Sequence, residues 1–266
     1  MSGFVQHEKD GLIYMTAPVI TAKHAFSTRF GGVSEGGLAS LNLGFNRGDE
    51  RERVIENYRI LGAALGIDVM RAAYTKQVHG THVRLVTDAD RCGPTDPAPC
   101  DADGLVTNVK GLPIFCFTAD CVPLLLHDPA GGTAGAVHCG WRSSVSDIPG
   151  VAVGLMRSLG SRPGDIRAAI GPAIGYCCFE TDADVPEAVE RWLGGDTEGL
   201  IRRKDLPGKY LVDLRGALRR RLIQLGLSPE HIAVSDECTM CLHDKYWSHR
   251  YTRGGPRGSQ CAVICL

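Results

Sequence analysis

Between residues 103 and 140 four apolar segments follow one another, "DGLVTN", "LPIFCFTA", "VPLLLHD" and "GTAGAVHCG", with turns between them. Short runs rich in Val, Ile, Leu and Phe, bounded by Gly, Pro, Asp and Asn, read as strands. Strands that succeed one another without helices between them argue against a doubly wound parallel sheet. Further strands are expected at 72–87 (two, flanking a turn at Gly80), in "IRAAIGPAIG" (166–175), in "HIAVSDECT" (231–239) and in "SQCAVICL" (259–266). Helices are expected at 147–160, 182–194, 214–227 and 50–67, the last with Val54, Ile55, Tyr58, Leu61 and Leu65 at helical spacing before Gly66. They do not alternate regularly with the strands, so the expected class is α+β, a sheet sandwich. Neither a repeat nor a low-complexity linker divides the chain, and "DRCGPTDPAPCDADG" (90–104) reads as a surface loop, so residues 1–266 are expected to form one domain.

A net charge of −1 gives no general attraction to nucleic acid or to an anionic membrane. Arg219, Arg220 and Arg221 read as a solvated helix face. The N-terminus "MSGFVQHEKDG" has no signal-peptide pattern. The apolar runs are far shorter than the ~20 residues that span a bilayer. A cytoplasmic location is therefore expected. In a reducing compartment eleven cysteines, an odd number, read better as ligands, catalysts or core residues than as a disulfide scaffold.

Three segments end a strand in a short polar turn bearing a metal-capable side chain: "TKQVHGTH", "FTADCVP" and "GAVHCGWR". They offer His79, with His82 close by, Cys121 and His138. Two imidazoles and a thiolate are zinc ligands, and a three-ligand set leaves a position open for water or substrate, the mark of a catalytic site. Gly80, Gly140 and Pro123 beside them allow close approach of backbone and substrate. The plain alternative is burial of Cys121 and His138 at strand ends. In "ECTMC", Cys238 and Cys241 form a lone C-x-x-C and read as structural. Cys177 and Cys178 in "GYCCFE" read as structural too, since neighbours on a strand face opposite ways. "STRFGGVSEGG" (27–37), with Arg29, Gly31 and Gly32, and "HRYTRGGPRG" (249–258), with Arg250 and Arg253, are either anion loops or ordinary turns.

Taken in order, "TRFGGVS", "KQVHG", "DADGLVTN", "FTADCVPLLLHDP", "GAVHCGWR", "IGPAIGYCCFE" and "SHRYTRGGPRGSQCAVI" resemble the YfiH-like laccase-domain family, also called the polyphenol oxidase or purine nucleoside phosphorylase family. The resemblance runs from about residue 20 to the C-terminus. It implies a single-domain layered α/β/β/α sandwich, with zinc (copper as the alternative ion) on His79, Cys121 and His138. It further implies phosphorolysis of adenosine, inosine and methylthioadenosine, and deamination of adenosine. Asp120 is then expected either as a proton carrier or as a cap of its turn. Arg29, Gln77, Arg142 and Arg250 are expected to hold nucleoside and phosphate. The expected partners are a purine nucleoside and phosphate, with no nucleic acid and no membrane, and the expected assembly is a monomer or small homo-oligomer. The chain departs from the family pattern at Cys139 and Ser143, and Cys139 is expected to become a further ligand or to narrow the pocket. Three other readings stay open: Cys121 as a nucleophile with a His base, copper-dependent phenol oxidation, and a binding protein whose zinc only stabilises the fold. Nine histidines without paired H-x-H segments supply a multicopper cluster poorly.

Overall fold

The computed structural model describes residues 3–266. It opens with a hairpin that apolar periodicity did not announce, β1 (Val5–Lys9) and β2 (Leu12–Thr16), followed by β3 (Lys23–Ser27). The connection is Asp10–Gly11, both at positive φ (51° and 81°), the residue pair that two-residue hairpin turns favour. Next, α1 (Arg51–Leu65) buries Val54, Tyr58 and Leu61 and stops at Gly66, whose left-handed φ of 62° a glycine adopts without strain. The two strands expected over 72–87 reduce to β4 (Val83–Leu85). Upstream only isolated bridges form, at Ala72, Ala73 and Lys76. The reason is that Val78, His79 and Gly80 give their backbone N–H groups to the side chain of Asp103 and not to a neighbouring strand.

The four successive strands are present as β5 (Gly104–Thr107), β6 (Ile114–Thr118), β7 (Val122–Asp128) and β8 (Thr133–Cys139). After them come α2 (Trp141–Val145), α3 (Ile148–Ser158), β9 (Arg167–Ile170), β10 (Glu180–Thr181) and α4 (Asp184–Trp192). The chain continues through β11 (Ile201–Arg203), β12 (Tyr210–Val212), α5 (Leu214–Gln224), β13 (Ile232–Val234) and β14 (Gln260–Cys265).

Two large sheets result, ordered β1-β2-β3-β14-β6 and β13-β9-β7-β8-β5-β4, with a small third sheet β10-β12-β11. Period-two alternation decides the layering. Phe26, Ile114, Cys116, Ala262 and Ile264 of the first sheet pack against Leu105, Leu125, Ala134, Ala136 and Ala169 of the second. The intervening residues point outward: Ala25, Phe115 and Val263 meet α1, while Val106, Leu124, Leu126 and Val137 join the core formed with α3, α4 and α5. Both faces of the second sheet are covered, so every residue of β7 and β8 is buried. The arrangement is the expected α/β/β/α sandwich of the α+β class.

Candidate active site

Strand register assembles the site. β7 pairs with β8 so that Pro123 faces His138, which sets Cys121, one residue before β7, beside that imidazole. β5 pairs with β8 through Gly104 and Val137, which lays Asp103 alongside His138. His79 comes from the loop before β4. Its Nε2 lies 3.9 Å from Cys121 Sγ, and one donor atom each of His79, Cys121 and His138 lie within 4.8 Å of one another. The rings of His79 and His138 meet edge-on, 4.8 Å between centroids. These are the three residues that ligand chemistry singled out. His82 does not join them; its Nδ1 is engaged with the carbonyl of Asp101.

Asp103 organises this group, and the sequence assigned it no role. Its Oδ1 accepts from His138 Nδ1 at 2.8 Å and from His79 N at 2.9 Å, and its Oδ2 accepts from Val78 N and Gly80 N. These bonds hold His79 at φ 61°, a left-handed conformation unusual for a non-glycine residue. With Nδ1 committed to a carboxylate, His138 turns Nε2 toward Cys121, the arrangement by which a buried acid fixes the tautomer of a ligating histidine.

Burial alone would raise the thiol of Cys121, but hydrogen bonding and charge from His138 and His79 outweigh it and hold the thiol down to about 6. Burial would likewise lower His138, but Asp103 and Cys121 bring it up to about 9. The chemistry of the donor set, a stabilised thiolate and two oriented imidazoles, fits a divalent zinc-type ion held by three protein ligands. Gly140 leaves the space: a Cβ there would lie 3.0 Å from the His79 ring and 3.6 Å from Cys121 Sγ.

The three donors open onto a cavity of about 770 Å³, within the range of small-ligand sites. Aromatic side chains line it, among them Tyr74, Phe117, Trp141 and Phe179, together with Arg47, His249, Arg250 and Arg257. Gln77 lines it too, but its amide is engaged at both ends with the backbone of Phe117, so it shapes the wall. Asp120 also faces the cavity at φ 89°, yet Oδ1 accepts the Thr239 hydroxyl and Oδ2 the N–H of Arg250, both at 2.6 Å. That geometry is the turn-holding role. Arg250 reaches the cavity, donating to the Glu180 carbonyl and lying over the Phe179 ring.

Two expected phosphate holders are elsewhere. Arg29 donates to the carbonyls of Ala39 and His243 and stacks on Trp247, and a Cβ on its neighbour Gly31 would run into the Leu12 backbone at 2.2 Å. That motif packs a loop. Arg142 is exposed, its guanidinium over Trp141, because α2 carries it away from the cavity. Cys139 is not a further ligand either: strand alternation turns it opposite to His138, into the fully buried outer core. Ser143 is buried and donates to the Gly140 carbonyl.

Arg47 was not found from sequence, and His249 and Arg257 were not singled out within the segment 249–258, where Arg250 and Arg253 were. The lowering of Arg257 to about 10 comes first from burial and then from the nearby charge of Arg47. Its buried Nε has no hydrogen-bond partner among the described residues. Burial and the positive charges of Arg257, Arg47 and Arg250 also lower His249. Cationic crowding at a cavity wall, with an unpaired N–H donor, is the electrostatic form of an anion subsite.

Residues 23–266 match the profile of a family described as multi-copper polyphenol oxidoreductase laccase. The chain is 37% identical to the purine nucleoside phosphorylase YlmD of Geobacillus stearothermophilus over 259 residues, 96% of this chain and 94% of that one. It is 38% identical over 256 residues to a purine nucleoside phosphorylase of Deinococcus radiodurans, with the same coverage of 96% and 94%. Its fold superposes on the crystal structure of YlmD from Geobacillus stearothermophilus with a TM-score of 0.92 at 35% identity, covering 100% of this chain and 99% of that one. The Bacillus licheniformis hypothetical protein YfiH gives a TM-score of 0.91 at 30% identity, covering 98% of each chain. Matched over nearly its whole length in both sequence and structure, the chain belongs to the YfiH-like laccase-domain family.

Proposed function

We propose that this protein is a zinc-dependent, cytoplasmic purine nucleoside phosphorylase that accepts adenosine, inosine and methylthioadenosine and also deaminates adenosine. The observation that carries the reading is the unpaired Nε of Arg257, in a cluster with Arg47, Arg250 and His249, on the same cavity as His79, Cys121 and His138. The names of the relatives from Geobacillus stearothermophilus and Deinococcus radiodurans point the same way. In phosphorolysis an oxygen of phosphate forms a bond to C1′ while the C1′–N9 bond breaks. The purine leaves with the electron pair and takes up a proton. The arginine cluster neutralises and orients phosphate, and orientation of two reactants supplies much of such a barrier reduction. The aromatic walls provide faces for the base. His79, Cys121 and His138 would hold zinc, which would supply a Lewis acid to the cavity they line. Asp103 keeps the His138 tautomer fixed, and Asp120 holds the loops bearing Thr239 and Arg250 in place.

Copper-cluster oxidation fits less well, since it needs several histidines gathered together. Among the described residues only two metal-capable groups form, one with two histidines and one with none. The lowered thiol of Cys121 also suits a nucleophile. Protein purified without added metal separates the two: an ion at the triad gives about one zinc lost on Cys121→Ala, whereas a thiol mechanism gives no zinc difference.

The decisive experiment incubates adenosine with and without phosphate and resolves adenine, inosine and hypoxanthine. Arg257→Ala is expected to raise the KM for phosphate by about 10- to 100-fold, the worth of hydrogen bonds to a charged group, and to spare phosphate-independent deamination. Cys121→Ala and His138→Ala are expected to abolish both products. Full phosphorolysis in the last two variants would overturn the assignment.

A further inference from the structure

The four cysteines read as structural in the sequence converge. Cys177 and Cys178 lie in a turn, not a strand, so their side chains do not diverge. Their sulfurs stand 3.5 and 3.4 Å from that of Cys241, and the sulfurs of Cys177, Cys178, Cys238 and Cys241 all lie within 4.8 Å of one another. Four thiolates around one ion at a Zn–S distance of about 2.3 Å stand about 3.8 Å apart. The observed spacing, 3.4 and 3.5 Å for two pairs and no more than 4.8 Å for any, brackets that value.

Two pieces of surrounding structure point to an anionic metal–thiolate centre. Cys238 Sγ accepts the backbone N–H of Gly175 at 3.1 Å, which turns that sulfur toward the other three. Beside the cluster, buried Arg215 gives one nitrogen to the carbonyls of Ser235 and Glu237. It has no carboxylate partner among the described ion pairs. A Cβ on Gly175 would meet Arg215 Nη2 at 3.0 Å and Cys177 Sγ at 3.2 Å, so the guanidinium and the thiols are neighbours. Four thiolates on a dication carry net negative charge, which supplies the counter-charge this arginine lacks.

We propose that Cys177, Cys178, Cys238 and Cys241 hold a second ion, a structural zinc with all four positions filled by protein. It joins the loop leaving β9 to the loop leaving β13, strands that pair in parallel and whose pairing extends to an Ala173–Cys238 bridge. Those loops build one wall of the cavity. Ile174 lines it and donates its N–H to the Asp120 carbonyl, and Thr239, inside the C-x-x-C, donates its hydroxyl to the Asp120 carboxylate.

The test uses full-length Cys121→Ala protein, in which the three-ligand site is broken, purified under reducing conditions. It is expected to retain one zinc per chain. After chelation it is expected to take up one equivalent of Co²⁺ with the strong visible bands and near-ultraviolet sulfur-to-cobalt absorption of a tetrahedral thiolate site. Adding Cys178→Ser and Cys241→Ser is expected to remove both signals. Should that triple variant not fold, X-ray absorption at the zinc edge of the Cys121→Ala protein decides, four sulfurs at about 2.3 Å being expected. Cys121→Ala protein that binds neither zinc nor cobalt, or whose four thiols prove paired as disulfides, would overturn the proposal. These readouts measure no turnover, so they stand or fall separately from the phosphorylase assignment.

Discussion

The carboxylate of Asp103 receives four hydrogen bonds, three from the backbone of residues 78–80 and one from the His138 ring. Neutral peptide donors and an imidazole share one acid, and the outcome is read at Cys121. With His138 held up to about 9 and Cys121 down to about 6, the metal-free pair spends the pH range between those values as imidazolium and thiolate. The two sites titrate together, so the lower midpoint belongs to the pair. An ordinary thiol titrates near 8.5. Metal-stripped protein is therefore expected to be alkylated at Cys121 by iodoacetamide with a half-maximal rate near pH 6, followed by peptide mass spectrometry because ten other cysteines are present. Asp103→Asn removes the acid that raises His138, and the midpoint is expected to move up toward the ordinary thiol range. A midpoint near 8.5 in the unaltered protein would show that the imidazoles do not act on the thiol.

Among the elements, α1, α3, α4 and α5, the run β5 to β8, and the strands β9 and β14 were legible in the sequence from their apolar periods or runs, and β13, three residues long, from the apolar "IAV" ahead of the polar "SDE". The hairpin β1–β2 was missed because its outer strand is mostly exposed and carries no apolar stripe, although Asp10–Gly11 marked its turn. β10, β11 and β12 are two or three residues long, too short for any period to show. In the site, the soft ligands stood out by residue type. Asp103 did not, because only the register of β5 against β8 carries it to His138. Arg257 did not because within 249–258, read as an anion loop or an ordinary turn, Arg250 and Arg253 were the arginines singled out. The outer helices show what sequence spacing conceals: Asp147, at φ 68° before α3, accepts from Trp192 of α4 and bidentately from Arg221 of α5. Burial would raise this carboxyl, yet the bonds from Arg221 and Trp192 hold it below the usual carboxylate range. Its contribution is therefore complete above the unfolded-state value of about 3.9 and is lost as pH falls through and below it. Asp147→Asn is expected to cost about 1–2 kcal/mol in urea unfolding at pH 7, modest because the side chain is 33% exposed. The gap between variant and parent is expected to close on acidification below pH 4. A gap that persists there would mean packing, not charge, joins the three helices.

The molecule as a whole is tied together late in the chain. β14 inserts between β3 and β6 in the first sheet, pairing Val263 with both Ala25 and Phe115. The residues just before it, Arg257 and Ser259, line the same cavity as Leu43 and Gly44. The first sheet and the anion wall therefore remain incomplete until residues 257–265 are in place. Val263 and Ile264 are fully buried on opposite faces of β14, and each contributes about 1.5–3 kcal/mol. Adding buried Cys261 and Ala262 and the ladders on both sides, the loss approaches the whole ~5–15 kcal/mol that holds a domain folded. Deleting residues 260–266 is therefore expected to abolish the cooperative transition in thermal and urea unfolding. Deleting residues 1–9 strips the exposed edge strand β1 and is expected to lower the midpoint while leaving a single transition. If instead the C-terminal deletion kept a cooperative transition for part of the chain, the two sheets would be separable folding units. The reading of one domain, with a cavity that exists only when both ends of the sequence have met, would then fail.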